Sequence, residues 1–354
     1  MKPFKNNTIL TLVCCALLLL TACDHDISTG SRVYEDGSLD RTIVLHKTDS
    51  DHVASNIFGV NEARDWKVEV VPATGSAKEN REAKHNVTFK KHFKSVADAN
   101  SEMHRAADTL FEIRSSFEKK DRWFYTYLEY SDTYVSLNRF KAIPQEDFFT
   151  EEDYAFIDRL PAEGSAITKS DSLYLARLDE KIFDLYGART IFEELYADML
   201  ASMREHNVPA NWTDTLLLKK ENVYRRFFRE GNLDDADLLY AAEGMKIPLP
   251  VEVQEAIRRK TEEMEKRLDF ISKAYSGKFV HTINMPWKVV SSNADSVKGN
   301  ALYWNPPVIK FLLKDYTMTA SARQMNVVAV IISGGLVLIT LGLFFFRRRK
   351  VSKA

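Results

Sequence analysis

Twenty consecutive residues, Val327 to Phe346, carry no charge, and Arg347-Arg348-Arg349-Lys350 follow at once. A helix over that stretch is long enough to cross a bilayer, where every backbone N–H and C=O must find its partner inside the segment. The cations that follow predict a cytoplasmic tail over 347–354. Residues 327–346 are thus expected to be a transmembrane helix, and whatever precedes them folds as a body that ends at a membrane surface.

The N-terminus reads as a processing segment. Lys2 and Lys5 precede an apolar run from Ile9 to Leu20, which is too short to span a bilayer core. Leu20-Thr21-Ala22-Cys23 comes next. A leucine, two small residues and a cysteine resemble the lipobox of bacterial lipoprotein precursors. By that resemblance residues 1–22 are a signal peptide cleaved after Ala22, and Cys23 becomes the lipidated first residue, its thiol taking a diacylglycerol thioether. An ordinary secretory signal with an incidental cysteine is the alternative. Lipid at Cys23 and the helix at 327–346 would enter the same membrane, the cytoplasmic one. The body between them is then exported, with residues 23–31 as the lipidated cysteine and a polar tether.

Charge and cysteine content narrow what that body does. The whole chain has 49 basic and 50 acidic residues. Setting aside the seven cations of the two ends leaves 42 against 50, a net of −8. So acidic a body is a poor candidate for nucleic-acid binding, which needs a basic face, and no nucleic-acid partner is expected. The three cysteines are Cys14, Cys15 and Cys23. The exported part therefore has no disulfide, no thiolate metal site and no cysteine nucleophile, and its stability must come from a packed core.

The hydrophobic pattern changes character along the body. Val33-Tyr34 and Thr42 to Leu45 read as two strands about an Asp36-Gly37 turn. Trp66 to Val71 alternates as a half-buried strand does, and Val87 to Phe89 suggests another. Ser95 to Leu110 is helix-like. Trp123 to Tyr130 is the strongest strand signal, with Arg114 and Phe117 in its partner. From 144 to 277 the pattern is helical. Thr150 with Asp153 resembles a capping box. Leu175, Leu178, Ile182, Leu185, Phe192, Leu195, Met199 and Met203 form one apolar stripe, with Gly187 able to bend it. Asn211 or Thr213 can cap a further helix, and Asp234-Asp235-Ala236-Asp237 suits another N-terminus. Pro248 and Pro250 precede a long helix ending at Gly277. Strand character returns in Val280 to Met285, Val289-Val290, Ala301 to Trp304 and Tyr316 to Ala320. The expected fold class is α+β. An antiparallel β-rich ectodomain over 32–143 and 278–324 is interrupted by a large helical insertion over 144–277, and one C-terminal transmembrane helix follows.

Within the returning strands, Met285-Pro286-Trp287-Lys288-Val289-Val290-Ser291-Ser292-Asn293 and Gly299-Asn300-Ala301-Leu302-Tyr303-Trp304 resemble the strand-turn-strand segment of LppM-like domains in bacterial lipoproteins. Pro286, Ser292, Asn293, Gly299, Asn300 and Trp304 carry the likeness, while Trp287 stands where that family usually has glycine. The resemblance implies an α+β fold and binding of amphiphiles in an apolar groove. It brings no catalytic residues with it.

Chemistry-bearing motifs are otherwise missing from the sequence. None of the eight histidines forms H-E-x-x-H, and no G-x-S-x-G or phosphate loop occurs. No catalytic, cofactor-binding or metal-ligating residue is assigned, and no cofactor is expected. The first functional expectation is a non-enzymatic envelope lipoprotein. Its ectodomain binds a lipid or glycolipid, or a membrane-protein partner, at the outer face of the cytoplasmic membrane. The alternatives are a membrane-tethered hydrolase with a dispersed active site and a scaffold subunit of a membrane complex.

Overall fold

The computed structural model describes residues 26–48, 57–73, 84–105, 110–230, 244–247 and 249–351. Strands β1 (Ile27–Val33), β2 (Leu39–Thr48), β3 (Lys67–Pro72) and β4 (His85–Phe93) precede helix α1 (Val96–Arg105). β5 (Ile113–Asp121) and β6 (Tyr125–Tyr134) form a hairpin. Then come α2 (Glu151–Arg159), α3 (Lys169–Glu180), α4 (Ala188–Glu205), α5 (Ala210–Glu230) and α6 (Val251–Ser276). β7 (Phe279–Asn284), β8 (Lys288–Ser292), β9 (Ser296–Lys298) and β10 (Ala301–Trp304) follow. The last elements are α7 (Ile309–Leu312), β11 (Tyr316–Met325) and α8 (Val327–Val351). The fold is mixed α+β, built of mainly antiparallel sheets, with a helical excursion in the sequence between β6 and β7 and one apolar helix after β11.

The chain divides into two compact units. The β unit holds Asp26–Val135, Phe279–Pro306 and Asp315–Ala354. The helical unit holds Ser136–Lys278 and also Pro307–Lys314, so the chain enters it twice.

Two sheets make the β unit. The first has the order β3-β4-β2-β1-β7-β10-β9, the second β5-β6-β11-β8. Strands from both sides of the helical excursion enter both sheets. β1 and β7 pair in parallel, from Ile27 opposite Phe279 to Arg32 opposite Asn284. Parallel neighbours need a long crossover, and the helical unit is part of that crossover. The Asp36-Gly37 turn joins β1 to β2 as expected, with Gly37 at φ 85°. Edge strand β5 is covered by α1, whose Asn100 side chain bonds both the N–H and the C=O of Ser115 at 2.7 and 2.8 Å. That amide stands in for a missing neighbouring strand.

Several sequence expectations shift. β1 begins at Ile27, so residues 27–31 are strand and not tether. Its inward positions Thr29 and Ser31 are polar, which hides the alternation that marks a half-buried strand. β3 does alternate, yet Val70 and Val71 are both 48% exposed, because β3 lies at the sheet edge. The aromatic strand begins at Tyr125, and Trp123 and Phe124 form the turn before it. α5 starts at Ala210, so Asn211 and Thr213 lie inside it, and the Thr213 hydroxyl donates back to Ala210 O at 2.8 Å. Gly277 ends α6 in an extended conformation, its N–H donating to Ala274 O. The residues 234–237 lie outside the described residues.

The helical unit keeps the capping box: the Thr150 hydroxyl accepts from Asp153 N, and the Asp153 carboxylate accepts from Thr150 N. Phe192, Leu195, Met199 and Met203 of α4 pack with Leu216 of α5 and Val253, Ile257 and Met264 of α6. The long stripe does not run straight. Between α3 and α4, Lys181–Gly187 is a π-helical turn. A π turn takes in an extra residue and slips the helical phase. Tyr186 therefore turns inward, and Leu185, expected in the stripe, is 51% exposed. Gly187 permits this: a Cβ there would stand 2.9 Å from the Ile182 carbonyl oxygen. Glycine to alanine in an ordinary helix interior stabilises by about 1 kcal/mol. Gly187→Ala is expected to do the reverse and lower the melting temperature followed by circular dichroism.

Candidate functional site

The inward faces of the two sheets meet over polar side chains. β1 supplies Thr29 and Ser31, β2 Arg41, β5 Ser115, β6 Tyr130, Asp132 and Tyr134, and β7 His281. Strand alternation aims each of them between the sheets. Arg41, Asp132, Tyr134 and His281 are each 0% exposed. Phe111 and Phe279 pack against Tyr134, and Phe58 against Phe111, in edge-on and tilted contacts that keep water out.

Asp132 is the common acceptor. Its Oδ1 accepts from Arg41 Nη2 at 2.9 Å, Ser115 Oγ at 2.6 Å and Tyr130 OH at 2.9 Å. Its Oδ2 accepts from His281 Nε2 at 2.9 Å and from Ser31 Oγ. Arg41 Nη1 donates to Ser31 Oγ at 2.7 Å, and Nη2 also reaches Ser115 Oγ at 2.6 Å. The cluster thus holds one full cation and one full anion in direct contact, the arrangement that makes a buried charge tolerable.

Burial and charge compete at each group. Burial raises the Asp132 pKa, but the Arg41 charge and the His281 hydrogen bond outweigh it and hold the carboxyl far below its ordinary 3.8. Burial opposes the Arg41 charge, and Asp132 more than restores it. At His281 burial wins over Asp132: the pKa lies below the ordinary 6.5, and the ring is neutral near pH 7. Burial pushes the Tyr130 and Tyr134 hydroxyls up, so both stay protonated.

A neutral imidazole satisfies the donors and acceptors. Nε2 faces the carboxylate, so the ring proton is assigned there. Nδ1 then accepts from Thr29 Oγ1 at 2.6 Å, and Thr29 Oγ1 accepts from Tyr134 OH at 2.6 Å. Protons point one way, from Tyr134 through Thr29 and His281 to Asp132. Hydroxyl, imidazole and carboxylate in line have the parts of a nucleophilic relay. Approach to them is closed, since Thr29 is 3% exposed and its hydroxyl is shared between Tyr134 and His281. The arrangement does the chemistry of a cross-sheet lock.

The motif residues at 286–304 form a second tie. Asn293 Oδ1 accepts from Trp304 Nε1 at 3.0 Å and from Thr319 N at 2.8 Å, while Asn293 Nδ2 donates to Thr317 O at 2.8 Å. Trp304 belongs to the first sheet and β11 to the second, so one amide joins them. The Trp304 ring lies 6.0 Å from the His281 ring, which links the two ties. Gly299 takes φ 64° in the β9–β10 turn, and Asn300 O accepts from Met285 N at 2.9 Å. Ser292 closes the end of β8, its Oγ 3.4 Å from Ala294 N. Pro286 stands between β7 and β8, where the chain changes sheets. Cys23 lies outside the described residues.

Among the described residues no group of three or more His, Cys, Asp or Glu is placed to hold a metal ion. A pocket of about 140 Å³ lies between α4 and α6 in the helical unit, rimmed by Asp198, Glu205, Arg259 and Lys260. Sites for drug-sized ligands run to roughly 300–1,000 Å³. No local motif marks the buried cluster, because its members are scattered: Asp132 and His281 are 149 positions apart and Thr29 and His281 are 252 apart. The one local trace is a pair of hydroxyls, Thr29 and Ser31, at strand spacing.

No protein-family model matches the sequence. No curated protein matches it. Among solved structures, the NMR structure of the folded domain of Mycobacterium tuberculosis LppM is similar to this chain with a TM-score of 0.27 at 8% identity, over 87% of this chain and 95% of that one. A superposition that loose carries no argument, and the fold rests on the strand pairing itself.

Removing one partner of a buried ion pair leaves the other charge stranded, which costs about 3–5 kcal/mol. Asp132→Ala is expected to lose stability on that scale in chemical denaturation of the detergent-solubilised chain. Acid acts through His281. Its folded pKa is depressed, so below pH 6.5 the unfolded chain binds the proton first and stability falls as pH falls. The melting temperature is expected to drop less steeply from pH 7 to pH 5 in His281→Gln than in the unaltered chain.

Proposed function

We propose that this chain is a non-enzymatic envelope lipoprotein. Its folded body is exported and held at the outer face of the cytoplasmic membrane, where it engages a membrane-protein partner through its surface. The observation that carries the reading is α8. Val327–Phe344 is long and apolar enough to cross a membrane. Its apolar side chains are exposed on every side, with Ile331 at 67%, Leu338 at 72% and Leu343 at 66%. A helix apolar all round is stable only inside a protein core or a bilayer. Lipid on Cys23 would be a second anchor, and one acyl chain alone binds only marginally.

A partner on the surface fits better than a lipid taken inside. The space between the sheets is filled by the polar cluster and its aromatic neighbours. The pocket in the helical unit is small for an amphiphile. The relay-like set of Thr29, His281 and Asp132 is buried, which favours a structural role for it over hydrolysis.

Topology tests the reading. Ala354→Cys is expected to react with a membrane-impermeant maleimide only after the cells are permeabilised, whereas Thr317→Cys reacts in spheroplasts. Labelled palmitate is expected in the unaltered chain and not in Cys23→Ala. Reaction at position 354 from outside intact cells overturns the orientation.

A further inference from the structure

The turn between β5 and β6 has unusual residues for a turn in water. Tight turns favour Gly, Asn, Asp, Ser or Pro, each for a conformational reason. Here the tip is Trp123 and Phe124, 60% and 46% exposed. The turn is closed by Arg122 N donating to Tyr125 O at 2.8 Å, with neither tip residue at positive φ. Exposed aromatic rings at this tip add nothing to the core between the sheets.

Their surroundings account for them. Phe124 O accepts from Asn326 N at 2.9 Å, and Asn326 is the residue between β11 and α8. Trp123 Nε1 donates to Ser333 Oγ at 2.8 Å. Ser333 lies six residues beyond Val327, about 9 Å along the helix axis. Inside a hydrocarbon layer an indole N–H finds no water, and the Ser333 hydroxyl oxygen gives it an acceptor. Arg122 lies over the Tyr127 ring at 5.7 Å and Arg323 over the Tyr125 ring at 4.6 Å. Aromatic rings with long cationic side chains beside them are characteristic of the headgroup level of a bilayer.

Resting on the reading of α8 as membrane-spanning, we propose that the β5–β6 tip is a lipid-inserting element. Trp123 and Phe124 enter the acyl region of the outer leaflet beside the first turns of α8, and Arg122 and Arg323 stay at the phosphates. The partner of this surface is the lipid bilayer itself. The β unit is thereby attached at two points, which fixes its tilt on the membrane as well as its distance from it.

Depth-dependent quenching in the full-length chain tests this. The chain is reconstituted into vesicles of phosphatidylethanolamine and phosphatidylglycerol carrying a spin label either high or low on the acyl chain. Phe124→Cys, Thr317→Cys and Val337→Cys are each coupled to an environment-sensitive fluorophore, and unaltered chain treated alike supplies the background. Thr317 is a control about 27 Å back along β11 from Met325. The expected result is loss of emission at position 124 with the shallow label, loss at 337 with the deep label, and no loss at 317. Quenching at 337 with position 124 behaving like 317 overturns the insertion and leaves the spanning helix standing. An unquenched position 337 removes the spanning reading, and the insertion falls with it.

Discussion

The pairing of Arg41 with Asp132 sets the terms for the β unit. It puts a full positive and a full negative charge where no water reaches, one on each sheet. A hydrophobic pair of the same volume would often hold the sheets as well or better, so the ion pair is weak evidence of stability for its own sake. Its effect is on register. A slip of one residue in β2 or β6 would turn Arg41 or Asp132 to the opposite face of its sheet and strand the other charge. His281 adds a condition on chain order. It arrives only after the helical excursion, so the cluster is complete only when the two distant stretches of the β unit have met. The contacts that close the cluster are among the most non-local in the chain, and non-local contacts carry a loop-closure cost that slows folding.

The Asn293 and Trp304 tie has the same logic at neutral charge. A single amide bonds an indole from one sheet and two main-chain groups from a strand of the other. The segment resembling LppM-like domains is therefore the place where the chain passes from sheet to sheet and back. The residues that carry the resemblance are explained by the needs of that passage. Gly299 supplies a left-handed turn, Asn293 a bridging amide and Trp304 a buried ring with one N–H to satisfy. None of these roles requires a ligand.

Much of the architecture was legible in the residues. The terminal apolar helix, the Asp36-Gly37 hairpin, the Thr150–Asp153 box and the α4 stripe each follow from a local rule that tertiary contacts did not override. The misses share a cause, which is that a local pattern was modified for a distant partner. β1 has the polar composition of a tether because Thr29 and Ser31 face a polar interior. Leu185 left its stripe because Gly187 admits a π turn. Trp123 and Phe124 have the composition of a strand and yet are the turn. The cluster itself was illegible, since nothing local says that Asp132 and His281 will touch. Sequence periodicity reports how a segment presents its faces and is silent about which opposite face it will meet.

Asn326 has a mechanical meaning. It is the single residue between β11 and α8, with its own N–H held by Phe124 and its side chain accepting from Ala329 N at 3.2 Å. Both hydrogen bonds hold that joint. Rolling or tilting α8 about its axis turns β11 with it, and β11 is paired along its length with β6, which bears Asp132. A twist of α8 therefore bears, across one hydrogen-bonded residue, on the strand paired with the carrier of the buried carboxylate.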